Sequence, residues 1–193
     1  MMRIITGRAR GAKLETLAGE HTRPTSERAK EAIFSVLQFE ISGKRVLDLF
    51  AGSGQMGLEA ISRGAVHALL CDSSREATAV IQRNAIKTKL APMCDVICSD
   101  WEALLRTQRR RAQFDLVFLD PPYALGLIPR ALSALTDYGL LADGAKIVCE
   151  AGGEGDVFGG DEALAARFEV VRTARYGVAY VTILGYRGEE AGE

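Results

Sequence analysis

The stretch Arg45-Val-Leu-Asp-Leu-Phe-Ala-Gly-Ser-Gly-Gln-Met-Gly57 predicts the class of fold. A short apolar run of strand type leads into three glycines, and a helical pattern then continues as far as Gly64. Glycines in such a turn let the backbone approach a ligand at a helix N-terminus, as in nucleotide-binding α/β folds. The Gly-x-Gly-x-x-Gly spacing is not specific by itself. Asp48, four residues before the first glycine, adds a carboxylate that could face a ligand ammonium.

Two more strand-like runs end near acidic residues. Val66-His-Ala-Leu-Leu-Cys-Asp72 follows the glycines by about 20 residues, the spacing at which a carboxylate binds ribose hydroxyls. Cys94-Asp-Val-Ile-Cys98 leads to Asp100, which could accept a hydrogen bond from an adenine amino group. Both Asp72 and Asp100 could also be helix N-caps, and the two roles are compatible.

The order of elements predicts an α/β fold. Five strands alternate with helices and two strands then follow in succession, which indicates a doubly wound, mostly parallel seven-stranded sheet with an antiparallel C-terminal edge strand. We expect a basic hairpin and helix at residues 1–40 packed on a main domain at 41–187, and a polar tail at 188–193. Ligands of such sheets bind at the carboxyl ends of the strands. Gly52, Asp72, Asp100 and Asp120 are therefore predicted to line one crevice.

The tetrapeptide Asp120-Pro-Pro-Tyr123 follows the apolar run Phe114-Asp-Leu-Val-Phe-Leu119. The Asp120 carboxylate and a carbonyl of the Asp120–Pro121 backbone could accept both hydrogens of a planar amino group and make its nitrogen nucleophilic. The prolines stiffen the loop and remove competing N–H donors. The ring of Tyr123 offers a stacking surface, worth about 1–3 kcal/mol for a base. An ordinary turn with a solvated Asp120 is the alternative.

Charge is unevenly distributed along a chain whose formal net charge is −1. Residues 1–30 contain seven basic and three acidic side chains, which suggests a local contact with a polyanion. Two short strands, Arg3–Thr6 and Ala12–Glu15, flank a turn that carries Arg8 and Arg10 between two glycines. Paired arginines on such a hairpin could bind phosphates, and a solvated hairpin tip is the alternative.

The four cysteines are expected to be reduced core thiols. They form no Cys-x-x-Cys pair, and two histidines offer few further metal ligands, so a metal site is not expected. Residues 1–20 lack the apolar segment of a signal peptide, and no apolar run approaches 18 residues. These features predict a soluble, cytoplasmic protein without a membrane segment.

Taken together, these motifs resemble the class I S-adenosylmethionine-dependent methyltransferases. More closely, the chain resembles the bacterial RsmD family, which methylates guanine N2 in 16S ribosomal RNA. The glycine turn and Asp120-Pro-Pro-Tyr123 are shared by many amino-methyltransferases. Arg3-Ile-Ile-Thr-Gly-Arg-Ala-Arg-Gly11 and Thr22-Arg-Pro-Thr-Ser-Glu-Arg28 narrow the resemblance to this family. Gln55-Met56 departs from the small residue and Leu that are more frequent there.

The resemblance implies S-adenosyl-L-methionine as cofactor and 16S ribosomal RNA in an assembled or assembling small subunit as substrate, for an enzyme expected to be a monomer. The acceptor amine would attack the methyl group directly. The cofactor-binding residues implied are Asp48, Phe50, Gly52, Ser53, Gly54, Asp72, Ser73, Asp100 and Trp101. The implied catalytic residues are Asp120, Pro121 and Tyr123, and the implied RNA contacts are Arg8, Arg10, Lys13 and Arg23.

Three other functions share part of these features. An amino-methyltransferase acting on adenine N6, cytosine N4 or a protein glutamine would use the same chemistry. A nicotinamide-dependent dehydrogenase would explain the glycines and Asp72, but not Asp120-Pro-Pro-Tyr123. A non-catalytic RNA-binding protein would have no need for Asp48, Asp72 and Asp120 together.

Overall fold

The computed structural model describes residues 2–17, 24–109 and 111–188. By its internal contacts the chain divides into two compact units, Met1–Trp101 and Glu102–Glu193. The sequence-based boundaries at residues 40 and 187 stay predictions. Apart from Gly188, the predicted tail lies outside the described residues.

Helices and strands alternate along the chain, as the sequence predicts. The helices are α1 (Pro24–Val36), α2 (Gln55–Ser62), α3 (Arg75–Lys87), α4 (Trp101–Gln108), α5 (Leu127–Asp137) and α6 (Glu162–Ala166). The strands are β1 (Arg45–Asp48), β2 (His67–Asp72), β3 (Cys94–Cys98), β4 (Phe114–Leu119), β5 (Leu141–Ala151), β6 (Phe168–Tyr176) and β7 (Ala179–Tyr186). Short 3-10 turns lie at Ala91–Met93 and Tyr123–Leu125.

The seven strands form one mixed sheet in the order β3-β2-β1-β4-β5-β7-β6, which confirms the predicted fold class. β1 pairs with β2, β2 with β3 and β4 with β5 in parallel, whereas β7 is antiparallel to both β5 and β6. One detail differs from the prediction. The antiparallel C-terminal strand β7 lies between β5 and β6, and β6 forms the edge of the sheet.

Side-chain burial explains why β7 and not β6 lies inside the sheet. Seven of the eight residues of β7 are buried, whereas only Phe168 of β6 is. Because an interior strand is covered on both faces, it must be apolar on both, and an edge strand can remain polar. The sequence of β7 is more apolar than that of β6, and this difference favours β7 inside the sheet and β6 at its edge.

The amino-terminal segment forms a short hairpin. Arg3 and Lys13 form an isolated antiparallel bridge, the N–H of Ile4 donates to Ala12 O at 2.9 Å, and the N–H of Leu14 donates to Met2 O at 3.0 Å. The two predicted four-residue strands are therefore reduced to a single bridge. Hydrogen bonds to α2, described below, replace the missing strand pairing.

All four cysteines are free thiols. Cys71 and Cys149 are buried, Cys94 is half-buried and Cys98 is exposed. Burial raises the pKa of the Cys71 thiol to about 12, so that this group remains protonated at neutral pH. Cys71 and Cys149 fit the expected core role, whereas for the exposed Cys98 that expectation is wrong.

Candidate active site

The glycine turn after β1 is tied to the end of β2. The N–H of Gly52 donates to Asp72 Oδ2 at 2.9 Å, and the N–H of Ala51 donates to Cys71 O at 2.8 Å. Gly54 begins α2 with φ +79°, a left-handed conformation that favours glycine. The predicted turn therefore forms at the carboxyl ends of two parallel neighbouring strands.

Asp72 is held by two backbone donors. Besides Gly52, the N–H of Ser74 donates to Asp72 Oδ1 at 2.8 Å. The N-cap of α3 is Ser74, whose side chain accepts from the N–H of Ala77, and Ser73 is exposed beside it. A carboxylate has about four acceptor positions, so each oxygen of Asp72 retains capacity for a ligand hydroxyl. The capping role therefore belongs to Ser74, and Asp72 can bind a ligand.

Asp48 lies beneath the turn and is buried, with 3% of its surface exposed. Its Oδ2 accepts the N–H of Gly57 at 2.9 Å. Burial raises the pKa of the Asp48 carboxyl to about 7; the Gly57 hydrogen bond opposes this shift and the charge of Asp72 adds to it. Asp48 thus supports the turn, and a ligand cation could favour its ionised form.

Two aromatic rings follow β1 and β3. The ring centroids of Phe50 and Trp101 lie 6.3 Å apart at an interplanar angle of 47°. Asp100, next to Trp101, is exposed, and the N–H of Ser99 donates to Asp72 O at 3.0 Å. The Ser99–Asp72 hydrogen bond connects the ends of β2 and β3. The Phe50–Trp101 ring pair and Asp100 therefore lie at the same edge of the sheet as Asp72.

Asn84 connects the glycine turn with the amino-terminal segment, and sequence reasoning missed it. It is fully buried in α3; its Nδ2 donates to Ser53 O at 2.9 Å and to Glu15 O at 3.0 Å, and its Oδ1 accepts the N–H of Glu15 at 2.8 Å. Ser53, also buried, donates from Oγ to Met2 Sδ at 3.1 Å. A polar residue on the buried side of a helix was the available signal.

The Asp120–Tyr123 turn belongs to the other unit, Glu102–Glu193. Asp120 is exposed directly after β4, Pro121 is buried, and the Tyr123 hydroxyl donates to Glu150 Oε1 at 2.7 Å. A cavity of about 350 Å³ lies against this turn. The proximity of Asp120 to Gly52 expected from the sequence stays a prediction.

The predicted RNA-binding side chains of the hairpin are exposed on an anchored backbone. Arg8, Arg10 and Lys13 are exposed, the N–H of Arg8 donates to Ser62 O at 2.9 Å, and Ser62 Oγ donates to Thr6 O at 2.6 Å. The fourth predicted contact, Arg23, lies outside the described residues. The arginine side chains therefore extend from a backbone segment that hydrogen bonds attach to α2.

Over residues 2–17, 24–109 and 111–188, no three His, Cys, Asp or Glu side chains are grouped so that they could hold a metal ion. Within the same ranges, no helix has the length and apolar character needed to cross a membrane.

Comparison with known proteins gives one family match over nearly the whole chain. A family model described as "Conserved hypothetical protein 95" matches residues 2–185. The chain is 37% identical over 149 residues to "Ribosomal RNA small subunit methyltransferase D" of Escherichia coli (strain K12), covering 77% of this chain and 74% of that one. It is also 37% identical over 150 residues to "Putative rRNA methyltransferase YlbH" of Bacillus subtilis (strain 168), covering 77% and 82%.

A solved structure shares the fold along the full length. "Putative methyltransferase yhhF from Escherichia coli" superimposes with a TM-score of 0.84 at 32% identity, covering 97% of this chain and 99% of that chain. The family match to residues 2–185 likewise includes residues of both compact units.

Proposed function

The chain belongs to the Conserved hypothetical protein 95 family, the RsmD family of ribosomal RNA methyltransferases, and we propose that it transfers a methyl group from S-adenosylmethionine to a base of ribosomal RNA. The resemblance drawn from the sequence motifs is thereby confirmed. The observation that carries the proposal is the hydrogen bond from Gly52 N–H to Asp72 Oδ2. It joins the glycine turn to Asp72, a carboxylate placed where nucleotide-binding folds accept the ribose hydroxyls of their ligand.

The residues of the Met1–Trp101 unit fit this cofactor. S-adenosylmethionine supplies an electrophilic methyl group on a positively charged sulfur. We propose that the turn with Gly52, Ser53 and Gly54 holds its amino-acid end, with Asp48 as the counter-charge for its ammonium. Asp72, with Ser73 beside it, would accept the ribose hydroxyls. The adenine would lie against Phe50 and Trp101, with Asp100 accepting from its amino group.

For the acceptor, we infer guanine N2 of 16S ribosomal RNA in an assembled or assembling small subunit, from the family. The Asp120 carboxylate and the neighbouring carbonyl would accept the two amine hydrogens, so that the nitrogen lone pair is directed at the methyl carbon. Pro121 keeps this loop stiff, and the ring of Tyr123 would stack on the base. Asp120 need not be a strong base, because the N–H becomes acidic only as the new bond forms.

The hairpin would provide the contact with RNA outside the acceptor base. Arg8, Arg10 and Lys13 are exposed cations on a backbone fixed to α2, and such side chains neutralise phosphates. We propose that Arg23 also contacts RNA. Because the proposed substrate lies within the ribosome, we propose that the protein acts in the cytoplasm and as a monomer.

Mass spectrometry of small-subunit RNA from cells with and without the gene tests the proposed reaction. We expect one methylated guanine to be lost with the gene and restored by the wild-type chain, but not by Asp120→Ala. Loss of a methyl group from adenine or cytosine instead would keep the enzyme class and change the acceptor. An unchanged methylation pattern would contradict the proposal.

A further inference from the structure

The cavity beside the Asp120–Tyr123 turn has the size and the lining of a site for one aromatic ligand. Its volume is about 350 Å³, near the lower end of the roughly 300–1,000 Å³ range of small-molecule sites. Its walls are the Pro121–Tyr123 turn, the first residues of α5 and the glycine-rich loop that follows β5. The walls are largely apolar, and among the described residues that line the cavity the charged ones are two carboxylates, Glu150 and Asp156.

The ring of Tyr123 is a fixed wall of this cavity. Its hydroxyl donates to Glu150 Oε1 at 2.7 Å. Its ring carbons lie so close to Gly152 that a side chain at that position would overlap them. The ring is thus held at its hydroxyl and along one side, and the residue as a whole remains 46% exposed.

The two carboxylates differ in what they can offer a ligand. Both oxygens of Asp156 bind the loop itself, Oδ1 accepting the N–H of Phe158 at 2.9 Å and Oδ2 that of Gly160 at 2.7 Å. Glu150 uses Oε1 for Tyr123, and within the described part of the chain Oε2 accepts no hydrogen bond. Glu150 Oε2, which accepts no hydrogen bond from the described residues, is therefore the carboxylate oxygen of the lining with the most capacity for an N–H donor.

We propose that this cavity receives the acceptor guanine and that Glu150 selects guanine by accepting a hydrogen bond from its N1–H. This inference rests on the proposed function, and it adds the residue that reads the base. Guanine carries its N1–H donor next to the N2 amine. Adenine N1 and cytosine N3 instead present a lone pair at the corresponding position, which a carboxylate repels.

The same contact explains how the base is oriented. Stacking on the Tyr123 ring fixes the plane of the guanine. The hydrogen bond from N1–H to Glu150 fixes the rotation of the base within that plane. The N2 amine is adjacent to N1, so its direction follows from this pair of contacts. Glu150 is thus a specificity-determining residue, and Gly152 is a positioning residue that acts through Tyr123.

The test compares guanine with 2,6-diaminopurine, which keeps the N2 amine but has a lone pair at N1. Small subunits are reconstituted with either base at the position that the wild-type protein methylates, and kcat and KM are measured for each. The wild type should prefer guanine by at least about 10-fold in kcat/KM, because loss of one hydrogen bond to a charged group lowers the rate by about that factor. Glu150→Gln should lower kcat/KM for guanine by roughly 10- to 100-fold. It should leave diaminopurine unchanged or improved, because the new amide can donate to N1.

Glu154→Gln is the matched control, since Glu154 is an exposed carboxylate of the same loop outside the cavity lining. It should keep the wild-type preference. Gly152→Ala should displace Tyr123 and lower transfer to both bases by a similar factor, while the thermal shift produced by S-adenosylmethionine persists. The shift also shows that each variant is folded.

The outcomes separate the inference from the function on which it rests. A wild type that methylates neither substrate contradicts the proposed function. A wild type that methylates guanine, with the same base preference in Glu150→Gln, overturns the role of Glu150. Equal wild-type activity on both bases overturns it as well, and an unaffected Gly152→Ala variant overturns the fixed-wall role of Tyr123.

Discussion

The carboxylate of Glu59, fully buried in α2, accepts a hydrogen bond at Oε2 from the backbone N–H of Ile5, at a distance of 2.7 Å. Its Oε1 accepts the N–H of Thr6 at 3.0 Å and the Nε–H of Arg63 at 2.8 Å. The Lys30 ammonium lies 4.0 Å from Oε2 and donates to Arg3 O at 2.7 Å. The hairpin is therefore anchored on a buried charge cluster.

Glu59→Ala should destabilise the protein by about 3–5 kcal/mol, because it removes the carboxylate that compensates the charges of Lys30 and Arg63 and leaves two backbone donors without their acceptor. Urea unfolding measures the change. Hydrogen exchange at Ile5 and Thr6 should accelerate in the variant, since these amides lose their acceptor. Glu76→Gln, at an exposed carboxyl on α3, is the control and should change stability by less than about 0.5 kcal/mol. Unchanged exchange at Ile5 would contradict the anchoring role.

Asp48 should make the stability of the free protein depend on pH. Its folded-state pKa of about 7 lies above the ordinary value of 3.8, so the folded protein binds more protons than the unfolded chain between these values. The contribution of Asp48 is therefore fully present below pH 3.8 and is lost as pH rises to 7, by on the order of 4 kcal/mol. Asp48→Asn should flatten this dependence, because its amide oxygen can still accept from Gly57. Asp143→Asn, at an exposed carboxyl, serves as the control, and a pH profile shared by Asp48→Asn and wild type would refute the assignment.

S-adenosylmethionine or its demethylated product should raise the unfolding temperature, and NADH should not. A ligand at 100 times its Kd adds about 2.7 kcal/mol to the free energy of unfolding. Differential scanning with each ligand at matched concentrations makes the comparison. Stabilisation by NADH together with indifference to the methyl donor would favour the dehydrogenase alternative.

Substitutions at Asp72 and Asp120 should separate cofactor binding from chemistry. Asp120→Ala should retain cofactor affinity within a few-fold while methyl transfer collapses, because Asp120 acts on the acceptor amine. Asp72→Ala should weaken cofactor binding, since it removes the proposed ribose acceptor and the partner of Gly52. Calorimetric titration and single-turnover transfer measure the two effects. Loss of cofactor binding in Asp120→Ala with intact turnover at saturation would reverse the assignment.

The hairpin arginines should contribute salt-dependent RNA affinity. Each lost phosphate contact lowers the salt slope of binding by roughly 0.7–0.9, so Arg8→Ala/Arg10→Ala should lower it by up to about 1.4–1.8. The melting temperature and cofactor affinity should barely move, because both side chains are exposed. Subunit binding across a salt series tests this, with Arg172→Ala on the exposed edge strand as control. Wild-type affinity and slope in the double variant would direct the search for the RNA surface to residues 106–111.

The sequence by itself determined the order of elements, the class of sheet and the positions of the glycine turn and the Asp120–Tyr123 turn. These features depend on local patterns: the apolar run of β4 ends where Asp120 begins, and glycine at position 54 permits the left-handed start of α2. The resemblance to the RsmD family also depended on short contiguous motifs. Local periodicity and backbone preference are properties that a single segment carries without its neighbours.

The tertiary structure decided which groups face one another. Glu59 is separated from Ile5 by 54 residues, Asn84 from Ser53 by 31, and Glu150 from Tyr123 by 27. Local sequence does not identify which residues will be their partners, even where, as for Asn84, a polar residue on the buried side of a helix gives a signal. The burial of Asp48, which raises its pKa, likewise comes from packing around it. Such contacts arise only when distant segments pack together, and for the buried groups Glu59 and Asn84 the cost of an unsatisfied polar atom makes a partner necessary.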